Sequence, residues 1–513
     1  PIYNEQKYYD EKLEIELRSN MSYNEQKYQH GFKIALNKIN QIESGELVNA
    51  TLVESESENR PVDHYNLRMK EEKVAGKSLS QSLKQWESIK QFAKEQSFKH
   101  VVFNGIGGSY LGPFMLIQAM HGDEYNLKQQ KEGRPSLHFV ANTDSDAFSQ
   151  LFQLIDVKQT LMVVISKSGS TAETATNTTI FQKLIGAESN KNMCAVTIPG
   201  SQLHQKATSQ KWIGIFEMNE ATGGRTSICS SVAMVPCAFA GLDFDNFIKG
   251  MSDMDDNTRQ PVNNLAFMIA AMIDTQLSIK QKNMIILGYS DSLKHYYHYC
   301  QQLYMESLGK EYTHDGRIQP KGLTVYGGIG TAEQHAFMQQ IQKGIDDSFV
   351  KFIQFQKRRF DDYEDEKAGT MGRQLLAFLK GTELALVQNN RQFMMITCKE
   401  CSMYCIGQLI ALEERIVTVL SALWDINAYD QPGVQDGKLA AGRVNKLSLA
   451  IEKQLTQCEG TVEEVMKAIN INEEPRLVES ILNDFIFNSK YYKTNVKGSR
   501  KWENGRFYYK LAA

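Results

Sequence analysis

Cysteine is scarce: eight residues are spread over 513. That is too few for a disulfide scaffold and points to a reducing compartment. No apolar run approaches the ~18 residues that cross a bilayer, so no membrane partner is expected. An excess of one charge is missing too, since 57 Lys and Arg stand against 60 Asp and Glu, a net charge of −3. This balance gives no electrostatic reason to expect a nucleic-acid partner. The opening stretch, PIYNEQKYYDEKLEIEL, is polar and acidic, unlike a secretory signal or a transit peptide. The expectation is a soluble, cytoplasmic, globular protein. With 42% hydrophobic residues it can bury a core large enough for two or more domains.

What the chain does have is one stretch around which the rest is arranged, Leu161–Thr174, LMVVISKSGSTAET. Five apolar residues, Leu161 to Ile165, read as a strand buried on both faces. Small hydroxyl residues follow from Ser166 to Thr171, and a helix opens near Ala172. The turn lacks the GxxxxGK[ST] spacing of a nucleotide loop and the GxGxxG of a dinucleotide turn. Unpaired N–H groups at a helix start, the positive end of its dipole and several hydroxyls suit one terminal phosphate on a small molecule. An ordinary Ser-capped helix would carry the same residues.

Residues 1–75 are charged and rich in Gln and Asn, with helical stretches expected at Glu11–Leu17 and Gly31–Ile42. The hexapeptide YNEQKY occurs twice, at Tyr3–Tyr8 and Tyr23–Tyr28, too short to define a repeat. Ser78–Glu95 reads as an amphipathic helix with Leu83, Trp86, Ile89 and Phe92 on one stripe. From Lys99, short apolar strands alternate with helices, which predicts a parallel sheet with crossover helices. Its strands are His100–Asn104, Leu137–Asn142, Leu161–Ile165 and Met193–Thr197. Glycine- or serine-rich turns follow two of them, at the carboxyl edge where open α/β sheets bind ligands. A second series has strands near Asn283–Gly288, Leu323–Tyr326, Phe349–Gln354 and Gln392–Thr397. Cys401–Ile426 and the stretch after Gly433 are predicted helical, and Lys490–Ala513 a surface arm. The expected organisation is an N-terminal extension (1–75), two α/β domains (76–240 and 241–430) and a C-terminal segment (431–513).

Several residues invite a chemical reading. Gly107, Gly108 and Ser109 follow the first strand, where glycine lets a ligand approach the backbone or simply makes a tight turn. Gly223 and Gly224 precede Arg225, whose guanidinium suits a phosphate or a developing oxyanion; a solvated surface arginine is the alternative. Gln302 and Glu306 share a helical face. Leu303, Tyr304, Met305 and Leu308 around Glu306 suggest partial desolvation, which would raise its carboxyl toward the range of a general base. His335 is read near a helix start and Lys438 inside a helix, both ordinary structural positions. Cys398, Cys401 and Cys405 are spaced to share one helical face ahead of an apolar run, with no fourth ligand nearby in sequence. Core packing is therefore expected in place of zinc, and His295 and His298 are read the same way.

Together and in this order, GIGGSYLGP, ISKSGSTAET, GGRTS, MESLGK, GTAEQHAFMQQIQKG and NAYDQPGVQDGK resemble the signature stretches of the glucose-6-phosphate isomerase family. The likeness runs from about Glu58 (ENRPVDHYNLR) to about Ala441, with small departures at Tyr110 and Tyr429. It implies an α/β fold of two parallel-sheet sandwich subdomains of sugar-isomerase type, with helical N- and C-terminal extensions. It also implies the interconversion of glucose 6-phosphate and fructose 6-phosphate through a cis-enediol, in glycolysis and gluconeogenesis, with no metal and no organic cofactor. The sugar phosphate would sit on Ser166, the Lys167 backbone, Ser168 and Thr171, with Gly108 and Ser109 closing the site. Glu306 would be the base and Arg225 the stabiliser of the enediolate, with Gln302 and Gln431 on sugar hydroxyls. His335 and Lys438 would open the ring, with Glu173 orienting His335. The resemblance further implies a homodimer in which His335 serves the neighbouring chain's site.

Two other classes share some of these residues. A sugar-phosphate-binding regulator would keep the serine-rich turn, but has no need of Gln302, Glu306, Arg225 and Lys438 together. An amidotransferring isomerase needs an N-terminal cysteine nucleophile, and the first cysteine here is Cys194.

Overall fold

The computed structural model describes residues 5–53, 57–367, 369–455, 457–488, 497–503 and 506–512. The chain divides into two compact units, one ending at Asp430 and the other starting at Gln431.

The first unit opens with strands β1 (Gln6–Asp10) and β2 (Ile15–Ser19), followed by helix α1 (Glu25–Glu43). Gly31–Ile42 is helical as the spacing predicts, but Glu11–Leu17 is a turn leading into β2. Leu13, Ile15 and Leu17 are buried at every second residue, and a run this short fits either period until tertiary partners decide. Helix α2 (Leu79–Glu95) buries Trp86 and Ile89, half of the predicted stripe.

Strands β3 (His100–Asn104), β4 (Ser136–Val140), β5 (Thr160–Ile165), β6 (Met193–Thr197) and β7 (Gly214–Glu217) form one sheet. Its order is β4-β3-β5-β6-β7 and every pair is parallel. Both faces are covered, as an all-parallel sheet requires. Leu161, Val163 and Ile165 of β5 join one apolar cluster, and Met162 and Val164 join another. Helix α3 (Leu111–His121) follows the turn after β3, and α4 (Ala172–Ile185) follows the turn after β5. Asn104 ties α4 to the end of β3: its Nδ2 donates to the Thr174 carbonyl at 2.9 Å and to Thr178 Oγ1 at 3.0 Å.

The second sheet carries β8 (Asn283–Gly288), β9 (Thr324–Ile329), β10 (Ser348–Lys357) and β11 (Gln392–Glu400), with α5 (Tyr296–Leu308) after β8. These four strands are parallel. The N-terminal hairpin then adds antiparallel at β11, giving the order β1-β2-β11-β10-β8-β9. The N-terminal extension is therefore part hairpin and part helix, and the second sheet is mixed.

Helix α6 (Met403–Leu423) is buried almost all round, as an interior helix must be. It packs on the Phe244–Thr258 helix, α1, the Leu265–Ile279 helix and α5. The one-face reading of the cysteines does not hold, because Cys398 is in β11, Cys401 lies in the turn and Cys405 is in the first turn of α6. All three are buried. Among the described residues no group of three or more His, Cys, Asp and Glu is arranged to hold a metal ion. None of the helices searched is long and apolar enough to cross a membrane.

The second unit contains α7 (Pro432–Gln454), helices Val462–Ala468 and Pro475–Asn488, and a small antiparallel sheet. Strands Lys497–Glu503 and Arg506–Ala512 form a hairpin whose second strand pairs with Cys458–Gly460. Tyr509 and Leu511 are buried against Ile451, Val465, Val478 and Leu482. The described part of the predicted surface arm is thus built into a core, while residues 489–496, 504–505 and 513 lie outside the described residues.

Candidate active site

Strands β3 and β5 are neighbours in register at Asn104 and Val164, so the turns that follow them lie side by side. The first turn, Gly105–Ser109, touches two other segments. A Cβ on Gly108 would stand 1.9 Å from the Gly224 carbonyl oxygen, so only glycine lets these two turns meet. A Cβ on Gly107 would lie 2.9 Å from Gln302 Nε2 on α5. The sequence therefore brings GGS, GGR and the Gln302–Glu306 face to one place.

Arg225 is nearly buried there and Glu306 is 31% exposed. Arg225 Nη1 donates to Glu306 Oε2 at 3.1 Å and Nε to Ser307 Oγ at 3.0 Å. Its Nη2 donates to the carbonyls of Ala428 (2.8 Å) and Asp430 (3.0 Å). Gln302 Nε2 donates to the same Glu306 Oε2 at 3.3 Å, so the predicted shared face is real. The apolar shell expected around Glu306 is not: Leu303, Tyr304 and Leu308 turn into the core and Met305 is exposed. A single helix cannot aim consecutive residues at one point, and the polar partners of Glu306 come from the facing turns. The arrangement holds a partly exposed carboxylate beside a buried, fixed cation, which suits proton transfer at a carbon next to a developing oxyanion.

Lys310 belongs to this group and was not legible in the sequence. Its Nζ donates to the carbonyls of Glu306 (2.9 Å) and Asp430 (2.7 Å), and lies 2.9 Å from Asp430 Oδ1. Burial holds its amino group below the ordinary lysine value, against the pull of Asp430. Only its place in MESLGK, four residues after Glu306, hinted at it.

The second turn, Ser166–Thr171, is closed by its own hydroxyls. Ser166 Oγ accepts from the Gly169 N–H at 3.1 Å, and Ser168 Oγ accepts from the Ser170 N–H at 3.2 Å. Gly169 has φ +80, and a Cβ there would meet the Leu203 backbone nitrogen at 2.6 Å. The Lys167 carbonyl accepts from Thr197 Oγ1 at 3.0 Å. Thr171 stands at the N-cap of α4 without a side-chain hydrogen bond to the helix, so first-turn N–H groups remain for another acceptor. The Lys167 amino group is pushed down to about 8 by burial and by Arg60, against Glu58, Asp63 and Glu220.

Ser109, partly exposed, closes the first turn by donating its N–H to the Ile106 carbonyl at 3.1 Å. Glu173, also partly exposed, is in the first turn of α4. His335 is exposed and lies between two short helices, at the C-cap of Gly330–Gln334 and three residues before Met338–Lys343. The first of these helices starts directly after β9. Among the described residues no hydrogen bond or ion pair joins Glu173 to His335. Gln431 and Lys438 belong to the second unit, at the N-cap and on an exposed position of α7.

A profile of the phosphoglucose isomerase family matches residues 22–464, more than the stretch the motifs mark. The chain is 35% identical over 475 residues to a glucose-6-phosphate isomerase of Geobacter sp. (strain M21), covering 88% of each chain. It is 36% identical over 459 residues to that of Prochlorococcus marinus subsp. pastoris, covering 85% of this chain and 82% of the other. A crystal structure of a glucose-6-phosphate isomerase from Chlamydia trachomatis superposes with a TM-score of 0.74 at 25% identity, covering 84% of this chain and 88% of that one. On the strength of this match over most of its length, the chain belongs to the phosphoglucose isomerase family.

Proposed function

We infer that this protein interconverts glucose 6-phosphate and fructose 6-phosphate by moving one proton between C1 and C2. The observation that carries the reading is Glu306 Oε2, held 3.1 Å from Arg225 and 3.3 Å from Gln302. In the ketose-to-aldose direction Glu306 takes a proton from C1. The C–H electrons form the C1–C2 double bond, and the carbonyl oxygen takes up the negative charge. Arg225 stabilises that oxygen, which then takes up the hydroxyl proton of C1, and the charge passes to O1. As the C1 carbonyl forms, the double-bond electrons take the proton back from Glu306 at C2, leaving the aldose. Ser166, Ser168, Thr171, Ser109 and the Gly108 and Lys167 backbones hold the phosphate, and Gln302 and Gln431 hold sugar hydroxyls. His335 and Lys438, with Glu173 as support, open the ring. In this reading residues 76–240 bind the phosphate and 241–430 supply the base. The protein works in the cytoplasm, where its cysteines, all free, stay reduced.

A coupled assay tests this. Fructose 6-phosphate should be converted, and fructose should be poorer by ~10⁴ in kcat/KM, because the turn's donors lose their partner. Equal kcat/KM for the two sugars would overturn the phosphate assignment.

The same reading makes the working unit a homodimer in which His335 enters the neighbouring chain's site. Its exposure at the end of a one-turn helix supports this. Glu306→Gln and His335→Ala should each be nearly inactive alone. Refolding an equal mixture gives half heterodimers with one intact site each, hence about a quarter of wild-type activity. Heterodimers visible by mass but inactive would place His335 in its own chain's site.

A further inference from the structure

Behind the Arg225–Glu306 cluster lies a set of fully buried charges that no step of the reaction uses. Glu413, Glu414 and Arg415, consecutive on α6, are essentially inaccessible, as are Arg68 and Asp255. Arg68 donates to both Asp255 oxygens, at 2.7 and 3.1 Å, and to Glu414 Oε2. Arg415 donates to Asp255 and Glu43, both at 2.9 Å. Glu413 receives Lys351, Tyr296 and Tyr304. A contact leads from this set to the GGR turn. Tyr299 Oη lies 3.2 Å from Glu414 Oε1 and 3.2 Å from the Arg225 carbonyl oxygen.

We propose that Tyr299 is a positioning residue for Arg225, fixing the GGR turn against α5 so that the guanidinium meets the oxyanion. Tyr299 is on α5, three residues before Gln302, and its ring is buried. Its single proton is shared between an anchored carboxylate and the main chain of Arg225. Glu414 is itself immobilised by Arg68, so the link ends on a rigid support. The Arg225 side chain is held by Ser307 and by the Ala428 and Asp430 carbonyls; Tyr299 supplies a hold on its backbone. A small displacement of a charge aimed at a transition state costs rate more than substrate binding. Burying several charges where apolar residues would pack as well is itself costly, which argues that this set keeps a geometry.

The test compares two hydroxyl deletions from the same helix. It rests on the isomerase reading, and wild-type activity on fructose 6-phosphate checks that reading separately. Tyr299→Phe should lower kcat about tenfold with KM changed less than about twofold, the pattern of a lost transition-state interaction. It should weaken a hydroxamate analogue of the enediolate by the same factor. Tyr296→Phe removes an equally buried hydroxyl bonded to Glu413 and should keep kcat within about twofold. If wild type is active and Tyr299→Phe keeps its kcat, the proposal fails. It fails as well if both variants lose kcat equally, since Tyr299 would then only support the fold.

Discussion

The two walls of the proposed site, one for phosphate and one for proton transfer, are built on opposite principles. The phosphate wall is a surface turn whose serines satisfy its own backbone, and its grip would come from N–H groups and hydroxyls. The proton wall presents Glu306 and Arg225, backed by ion pairs at 0% exposure. Holding an anion needs only a local turn and a helix start. Aiming a permanent charge within a few tenths of an ångström needs supports that cannot move, and those must be buried. The first wall is therefore legible from a dozen consecutive residues, and the second is assembled from segments over 300 positions apart.

Substitutions on each wall should break in different ways. Glu306→Gln removes the base from an otherwise intact wall, so kcat should fall by at least ~10³ with KM little changed. Retention of a tenth of wild-type kcat in steady-state kinetics would exclude it as the base. Arg68→Met leaves Glu414 and Asp255 short of a partner, at a cost of about 3–5 kcal/mol. Chemical denaturation should show that loss, whereas Ser168→Ala on the phosphate wall should leave stability nearly unchanged.

The smallest effect concerns Lys167. Its backbone is assigned to the phosphate. Its amino group, carried by the same turn, is charged below about 8 and neutral above. With that charge added to the backbone's hold, kcat/KM for the dianionic substrate should decline as pH rises through that value. Lys167→Met should cost about tenfold at neutral pH and lose this decline; an unchanged profile would remove the side chain from phosphate binding. For stability the sign is opposite. Above about 8, and up to the ordinary lysine range, the unfolded chain holds the extra proton, so this residue's contribution to stability grows with pH there.

How far the sequence reveals the fold follows from the same contrast. Strands His100–Asn104, Met193–Thr197 and Asn283–Gly288 lie where the apolar runs put them, because buried parallel strands need continuous apolar residues. The YNEQKY copies show the limit. The segment Glu-Gln-Lys-Tyr leads into and forms β1 at residues 5–8, but opens α1 at residues 25–28. Nothing local separates them; β1 pairs with β2, and α1 packs on α6. The buried hydroxyl of Tyr299 and the amino group of Lys310 were missed for a like reason. Their partners Arg225, Glu414 and Asp430 are 74 to 120 positions away, and no periodicity encodes such a meeting. His335 was recognised by its motif alone, and its place at a helix end depends on where β9 stops.

Solvent exchange at C2 tests the central claim, that Glu306 carries the proton, most directly. Fructose 6-phosphate incubated with the protein in D2O should give glucose 6-phosphate carrying deuterium at C2, because the proton on Glu306 exchanges with solvent before it returns. In Glu306→Gln the conversion and the label should disappear together, as followed by proton NMR. If wild type makes no aldose, or if Glu306→Gln introduces the label at the wild-type rate, the account is contradicted.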